Sequence, residues 1–331
     1  MRKKKAIFLS VMLLLAVGVT ALVASLTDRK SETEDMVCVT SFYPVYLLAD
    51  AVAEGAEGVQ VRNLTENHSG CLHDYTLTTR DMRLLSEAEL FFLNGGGMEL
   101  FLTKVEKDYK NLTMVDTSEG FAFLEGVEHN HAHHEDGTKE HEEEDHSGHV
   151  HELNAHLWLS IDGYLAQLSK VEEAFVAADP AQEALYRANA ETCRGELLAL
   201  QAEYEAVGEA LSGEETVVFH EGFVYLLSML GVETIHCLAM DADTQIAAGE
   251  AAEIMEECKL HDVTCLFVEE AYAETVADTF GTETGSETVV LDSITGDGAF
   301  LTEDEGLTGV SLYCERMRKN LEVIRQAYGL R

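Results

Sequence analysis

Apolar and polar positions along this chain alternate between two rhythms. Val37-Cys38-Val39-Thr40 and Val59-Gln60-Val61-Arg62-Asn63-Leu64 read as short strands, as do Leu90-Phe91-Phe92-Leu93 and Thr113-Met114-Val115-Asp116. Residues 44–53 and 79–89 between them carry apolar positions at helical spacing. The second half repeats the style. It has strands at 215–219, 232–235, 265–268 and 288–291, and helices at 222–230, 245–259 and 306–328. A long helical stretch, 180–211, lies between the halves and opens on Pro180, a residue suited to a first helical turn. Strand–helix alternation implies parallel sheets covered by helices. The expected fold is therefore α/β: two α/β lobes with parallel sheets, joined by one long rigid helix. The expected divisions are an N-terminal lobe 36–160, a helical region 161–212 and a C-terminal lobe 213–331.

The first 27 residues belong to neither lobe. Arg2, Lys3, Lys4 and Lys5 precede an uncharged run, 6–27, centred on Val11-Met12-Leu13-Leu14-Leu15. A basic start and an apolar run read as an export signal, and Val19-Thr20-Ala21 offers small residues for cleavage. The run is also long enough to serve as an uncleaved membrane anchor. Basic residues before it and Asp28, Glu32, Glu34 and Asp35 after it place the body outside the cytoplasm, at the cell surface or in a periplasm.

Composition narrows the ligand class. The 331 residues are 46% hydrophobic, which is enough to build a core. Asp and Glu number 61 against 22 Lys and Arg, a formal charge of −39. So acidic a body repels phosphate backbones, which excludes nucleic acid as a partner, and it suits a cation. The seven cysteines are odd in number and form no CxxC, so they read mostly as small buried residues rather than a metal–thiolate cluster.

One segment departs from the rest. Between 128 and 152 stand eight of the 14 histidines, nine acids and a single Lys. The histidines are His129, His131, His133, His134, His141, His146, His149 and His151. With almost no large apolar residue to bury, the segment reads as a mobile, acidic, His-rich loop. Imidazoles beside carboxylates bind borderline metals such as Zn²⁺, so the loop is expected to hold metal weakly and at several points. It lacks HExxH, the signature of a zinc-protease helix.

Four further groups stand where sites lie in α/β folds, close to strand ends. They are His73 in Cys71-Leu72-His73-Asp74-Tyr75, His156 in Asn154-Ala155-His156-Leu157-Trp158-Leu159, His220 after Val217-Val218-Phe219, and Asp292 after Val289-Val290-Leu291. Spacings of 83, 64 and 72 residues match no local metal motif, and periodicity alone does not join them.

The chain resembles the cluster A-I metal receptors of bacterial ABC importers, the ZnuA/TroA-like family. The blocks that carry the resemblance are Val39-Thr40-Ser41-Phe42-Tyr43-Pro44, His73-Asp74-Tyr75 with Thr79-Arg80-Asp81, and Leu93-Asn94-Gly95-Gly96-Gly97-Met98-Glu99. They continue with His156-Leu157-Trp158-Leu159, Asp179-Pro180, Val218-Phe219-His220-Glu221-Gly222-Phe223, Phe267-Val268-Glu269 and Leu291-Asp292. The resemblance implies a single metal in the interlobe cleft, held by His73, His156, His220 and Asp292. Three imidazoles and a carboxylate suit Zn²⁺, and the third His favours zinc over Mn²⁺. It further implies a monomeric receptor, not an enzyme, that delivers zinc to an ABC permease and its ATPase. The family's prolines are replaced by Leu72, Asn154-Ala155 and Ser293, and its lipid-anchor Cys is absent. Three other readings stay open: a manganese receptor of the same family, a zinc hydrolase with Glu221 as base, and a zinc-buffering surface adhesin.

Overall fold

The computed structural model describes residues 35–66, 72, 75–104, 108–126, 153–240, 246–296 and 306–330. The N-terminal run 1–27, Cys71, His73 and the whole His-rich segment lie outside the described residues. Among the described residues no helix is long and apolar enough to cross a membrane.

The first lobe is built on β1 (Met36–Thr40), β2 (Val59–Asn63), β3 (Leu90–Leu93) and β4 (Thr113–Asp116). They form one parallel sheet in the order β2-β1-β3-β4. The second lobe repeats this plan with β5 (Glu215–Val218), β6 (Glu233–Cys237), β7 (Cys265–Val268) and β8 (Glu287–Val290), in the order β6-β5-β7-β8. Chain direction through each sheet reverses beside its first strand, between β1 and β3 and between β5 and β7. Such switch points open a crevice at the strands' carboxyl ends, where ligands collect. The inner strands are near-continuous apolar runs because both sheet faces are covered: Leu90, Phe91 and Phe92 of β3, and all four residues of β7, are buried.

Helix α1 (Tyr43–Val52) follows β1 directly, with Pro44 in its first turn. Helix α2 (Thr79–Glu87) starts at a capping box, in which Thr78 and Asp81 each accept from the other's backbone N–H. The stretch 161–211 is two helices, α3 (Ile161–Ala178) and α4 (Glu183–Leu211). Asp179 breaks them apart: its carboxylate accepts from the Ala181 N–H and the Tyr186 hydroxyl, and Pro180–Gln182 forms a 3-10 turn. The expected helix from 180 therefore becomes α-helical at Glu183. Helices α5 (Phe223–Ser228), α6 (Ala248–Leu260) and α7 (Gly309–Ala327) complete the set. Residues 270–284 form an irregular helical stretch with a π turn at Ala277–Gly281, which the apolar pattern does not announce.

A single apolar core runs through both lobes. It joins Val45, Leu48 and Phe92 of the first lobe to Phe267 and Leu291 of the second, by way of α3, α4 and α7. Tyr164 and Tyr313 stack at 3.9 Å in its middle. Tyr164 donates its hydroxyl to Pro44 O at 2.8 Å, and Tyr313 donates to Trp158 O at 2.7 Å. Buried aromatics that each find a polar partner add apolar area without leaving an orphaned hydroxyl. The C-terminal helix α7 packs on α1 and α4, so the lobes are tied twice: by α4 and by the return of α7. The outer faces have their own clusters, around Leu85 and Phe91 in the first lobe and around Ile254 and Phe280 in the second. Five of the six described cysteines are buried, and all six are free thiols, in keeping with the sequence reading.

Candidate metal centre

Each candidate side chain is set by the element that precedes it. His220 stands two residues past β5, as Asp292 does past β8, and His156 caps the 3-10 turn Leu157–Leu159 that follows it. The segment that carries His156 is held by the turn after β3. There the Asn94 side-chain amide donates to Ala155 O at 2.8 Å, and Gln167 Nε2 donates to Asn94 Oδ1 at 3.1 Å. Gly95 allows this turn: its φ is +85°, and a Cβ there would lie 1.9 Å from an Asp116 oxygen. Glu99 closes the turn by accepting from the Asn94 N–H at 2.6 Å and the Gly95 N–H at 3.2 Å. Burial pushes the Glu99 carboxyl up to about 7.

His156 and His220 meet. Their rings lie edge to face with centroids 4.9 Å apart, and both side chains are buried. Asn154 orients the first. Its Oδ1 accepts from His156 N–H at 3.2 Å and lies 3.0 Å from His156 Nδ1, while its Nδ2 donates to Glu221 O at 3.0 Å. Nδ1–H pinned on a carbonyl leaves the imidazole lone pair on Nε2, as metal-binding histidines need.

His220 has the opposite polarity. The Gly222 N–H donates to its Nδ1 at 3.2 Å, which puts the neutral ring's proton on Nε2. Coordination through Nε2 therefore requires that proton to move to Nδ1 and the Gly222 amide to turn away. Gly222 has no room for a side chain, since a Cβ would lie 2.7 Å from Leu159, 2.9 Å from the His220 ring and 3.0 Å from His156 Cβ. Two carboxylates flank the pair. Glu221 Oε2 is 3.9 Å from His156 Nδ1, and Glu269 Oε1 is 4.0 Å from His220 Nε2.

Asp292 is buried close by, since Trp158, whose ring is 5.0 Å from that of His156, donates its indole N–H to Ser293 O at 2.8 Å. Its carboxylate is already engaged. Arg316 grips both oxygens, Nε to Oδ2 at 2.6 Å and Nη2 to Oδ1 at 2.7 Å, and the Ile294 N–H donates to Oδ1 at 2.8 Å. Arg316 also lies 5.8 Å over the Tyr43 ring.

The structure thus brings together two of the expected ligands, His156 and His220, and sets Asp292 against an arginine. His73 and the eight loop histidines lie outside the described residues. Among the described residues no three His, Cys, Asp or Glu side chains are already grouped to hold a metal ion. The donor types fit a zinc ion, with buried imidazoles for N–Zn bonds and carboxylates within reach. Burial pushes the Cys237 thiol up to about 12, so it stays protonated at neutral pH. The sequence reading missed Asn154, Glu269 and Arg316. Glu269 follows β7 as His220 follows β5, so the strand-end rule that picked His220 applies to it equally.

The roots of the His-rich segment lie at the same place. Glu125 and Leu153 form an antiparallel bridge, and the Asn154 N–H donates to Leu124 O at 3.1 Å. The Tyr225 hydroxyl, on α5 just past His220, donates to Asn154 O at 3.0 Å and accepts from the Leu124 N–H at 2.9 Å.

Known proteins share this plan. Among solved structures, the metal-dependent lipoprotein YcdH of Bacillus subtilis superposes with a TM-score of 0.69 at 23% identity, covering 88% of this chain and 98% of that one. Zn(II)-bound AdcA of Streptococcus pneumoniae gives 0.67 at 23% identity, over 88% of this chain and 57% of that one. At these identities the likeness is one of fold. In sequence, the zinc-binding protein AdcA of Streptococcus pyogenes is 29% identical over 293 residues, 87% of this chain and 55% of its own. The high-affinity zinc uptake system protein ZnuA of Bacillus subtilis is 25% identical over 299 residues, 90% of this chain and 89% of its own. The chain spans about half the length of the AdcA relatives it matches. The family described as zinc-uptake complex component A, periplasmic, matches residues 38–327, nearly the whole of both lobes. The chain belongs to this ZnuA family.

Proposed function

We propose that the protein is an extracytoplasmic receptor that captures Zn²⁺ and hands it to an ABC permease driven by its ATPase. The observation that carries this reading is the buried His156–His220 pair, with rings 4.9 Å apart, one imidazole from each half of the chain. Two imidazoles brought together on one frame are a donor set that a borderline divalent cation prefers. His73, His156 and His220 are the proposed nitrogen ligands, and one carboxylate completes a four-ligand set. The family resemblance implies Asp292 in that place. The names of the relatives support the metal: ZnuA of B. subtilis is a zinc uptake protein, and AdcA is a zinc-binding protein. The proposed units are a leader or anchor at 1–27, the two lobes, and the His-rich segment as an auxiliary weak store.

Isothermal titration of the purified, metal-stripped chain tests this. One tight zinc equivalent is expected, lost in His156→Ala and in His220→Ala. A wild-type chain without a tight zinc equivalent would sink the reading.

A further inference from the structure

We infer that Glu269, rather than Asp292, supplies the carboxylate that completes the zinc site; this rests on the receptor reading above. Three observations lead there. The first is the state of Asp292. A carboxylate has about four lone-pair positions, and Arg316 and the Ile294 N–H together take three of those of Asp292. A zinc ion placed on it would share it with a fixed guanidinium cation in a buried setting, where like charges repel strongly. Freeing Asp292 would instead cost Arg316, which is 1% exposed, both of its bonds to that carboxylate.

The second is the state of Glu269. Among the described residues its carboxylate pairs with His220 alone, at 4.0 Å from Nε2. Its side chain keeps 21% of its surface exposed, so an ion arriving from solvent can reach it. Two zinc bonds of about 2.0–2.2 Å at a tetrahedral angle set their donor atoms about 3.4 Å apart. A small side-chain movement closes the remaining gap once the His220 proton has moved to Nδ1 and the Gly222 amide has turned away.

The third is placement. β5 and β7 are hydrogen-bonded neighbours, and the chain reverses its direction through the sheet between them. His220 and Glu269 follow these two strands, so together they line the mouth of the crevice where α/β sheets bind ligands. Asp292 follows β8, the edge strand one place further out.

The test uses the full chain, metal-stripped, with zinc affinity read by chelator competition and Co²⁺ as a spectroscopic probe of the ligand set. Loss of a partner that merely orients a ligand costs about 10–100-fold in metal affinity, so Glu269→Gln should exceed about 100-fold and shift the visible Co²⁺ bands. Glu269→Asp should recover part of the affinity, and Asp292→Asn should lower it less than Glu269→Gln. Thermal unfolding of the apo proteins checks that each variant is folded. The inference is overturned if folded Glu269→Gln keeps wild-type Co²⁺ bands, whatever its affinity. It is equally overturned if folded Asp292→Asn alone changes those bands. If the wild-type chain takes up no zinc tightly, the receptor reading fails and this inference falls with it. A wild type that binds tightly beside an indifferent Glu269→Gln defeats the inference alone.

Discussion

Asn154 shows how much one side chain can fix. Its carbonyl sets the His156 tautomer while its amide reaches across to Glu221 O, so the two imidazoles are registered by a single residue. Asn154→Ala should lower zinc affinity by about 10–100-fold, as for other partners that hold a ligand from behind, with little change in fold. Titration calorimetry reads this directly, and unchanged affinity would remove Asn154 from the site. Arg316 makes the opposite case. Arg316→Met leaves a buried carboxylate without its cation, which should cost about 3–5 kcal/mol in urea unfolding. Adding Asp292→Asn should restore much of that loss, because the uncompensated charge is then gone. At this scale the sequence singled out His156 and His220 as chemically distinctive residues, and their rings meet, although only His220 follows a strand while His156 caps a turn. It was silent on Arg316, because an ion pair between positions 292 and 316 has no period. One hint existed: Arg316 and Asn320 stand among Tyr313, Met317 and Ile324 on the buried side of α7, where a polar residue signals a partner.

The elements were legible wherever one period dominated. The eight strands and most helices follow from apolar runs and 3.6-residue spacing, with ends displaced by a few residues. The boundary before Pro180 was legible, but the 3-10 turn that delays α4 to Glu183 was not, because it depends on the Asp179 side chain capping a turn rather than on apolar pattern. The irregular stretch 270–284 mixes α and π turns, which no single period describes. The turn after β3 carries its own prediction. Glu99, with its pKa pushed from 4.5 to about 7, holds a proton in the folded protein that the unfolded chain releases. The folded state therefore loses stability as pH rises through that window, by up to about 3 kcal/mol. Glu99→Gln cannot ionise, so its stability relative to wild type should increase from pH 4 to pH 8 in urea titrations. A difference independent of pH would contradict the assignment. Gly222 offers a second test. Gly222→Ala forces a Cβ against the His220 ring and the His156 Cβ and should weaken zinc binding in titration more than it lowers stability in urea unfolding.

At the scale of the molecule, the alternation of strands and helices foretold two lobes and a long helix, but not the second tie. Helix α7 ends the chain by packing back on α1, a contact between distant segments that no local pattern reports. With a common core and two crossing helices, large independent lobe motion is disfavoured, and zinc capture should bury little new surface. Deletion of residues 129–151 should therefore remove weak zinc equivalents and leave the tight one, as counted by titration. Loss of the tight equivalent would make that segment part of the central site. The Tyr225 hydroxyl gives this arrangement a mechanical meaning. It fastens both strands of the insertion's root to the helix behind His220, so the two halves cannot part at that seam without letting go of Leu124 and Asn154 together. It behaves as a fuse: one oxygen that holds two bonds of about 1 kcal/mol each, lost together when it lets go. Tyr225→Phe should speed hydrogen exchange at the Leu124 amide, and it should raise the zinc off-rate in step with that exchange.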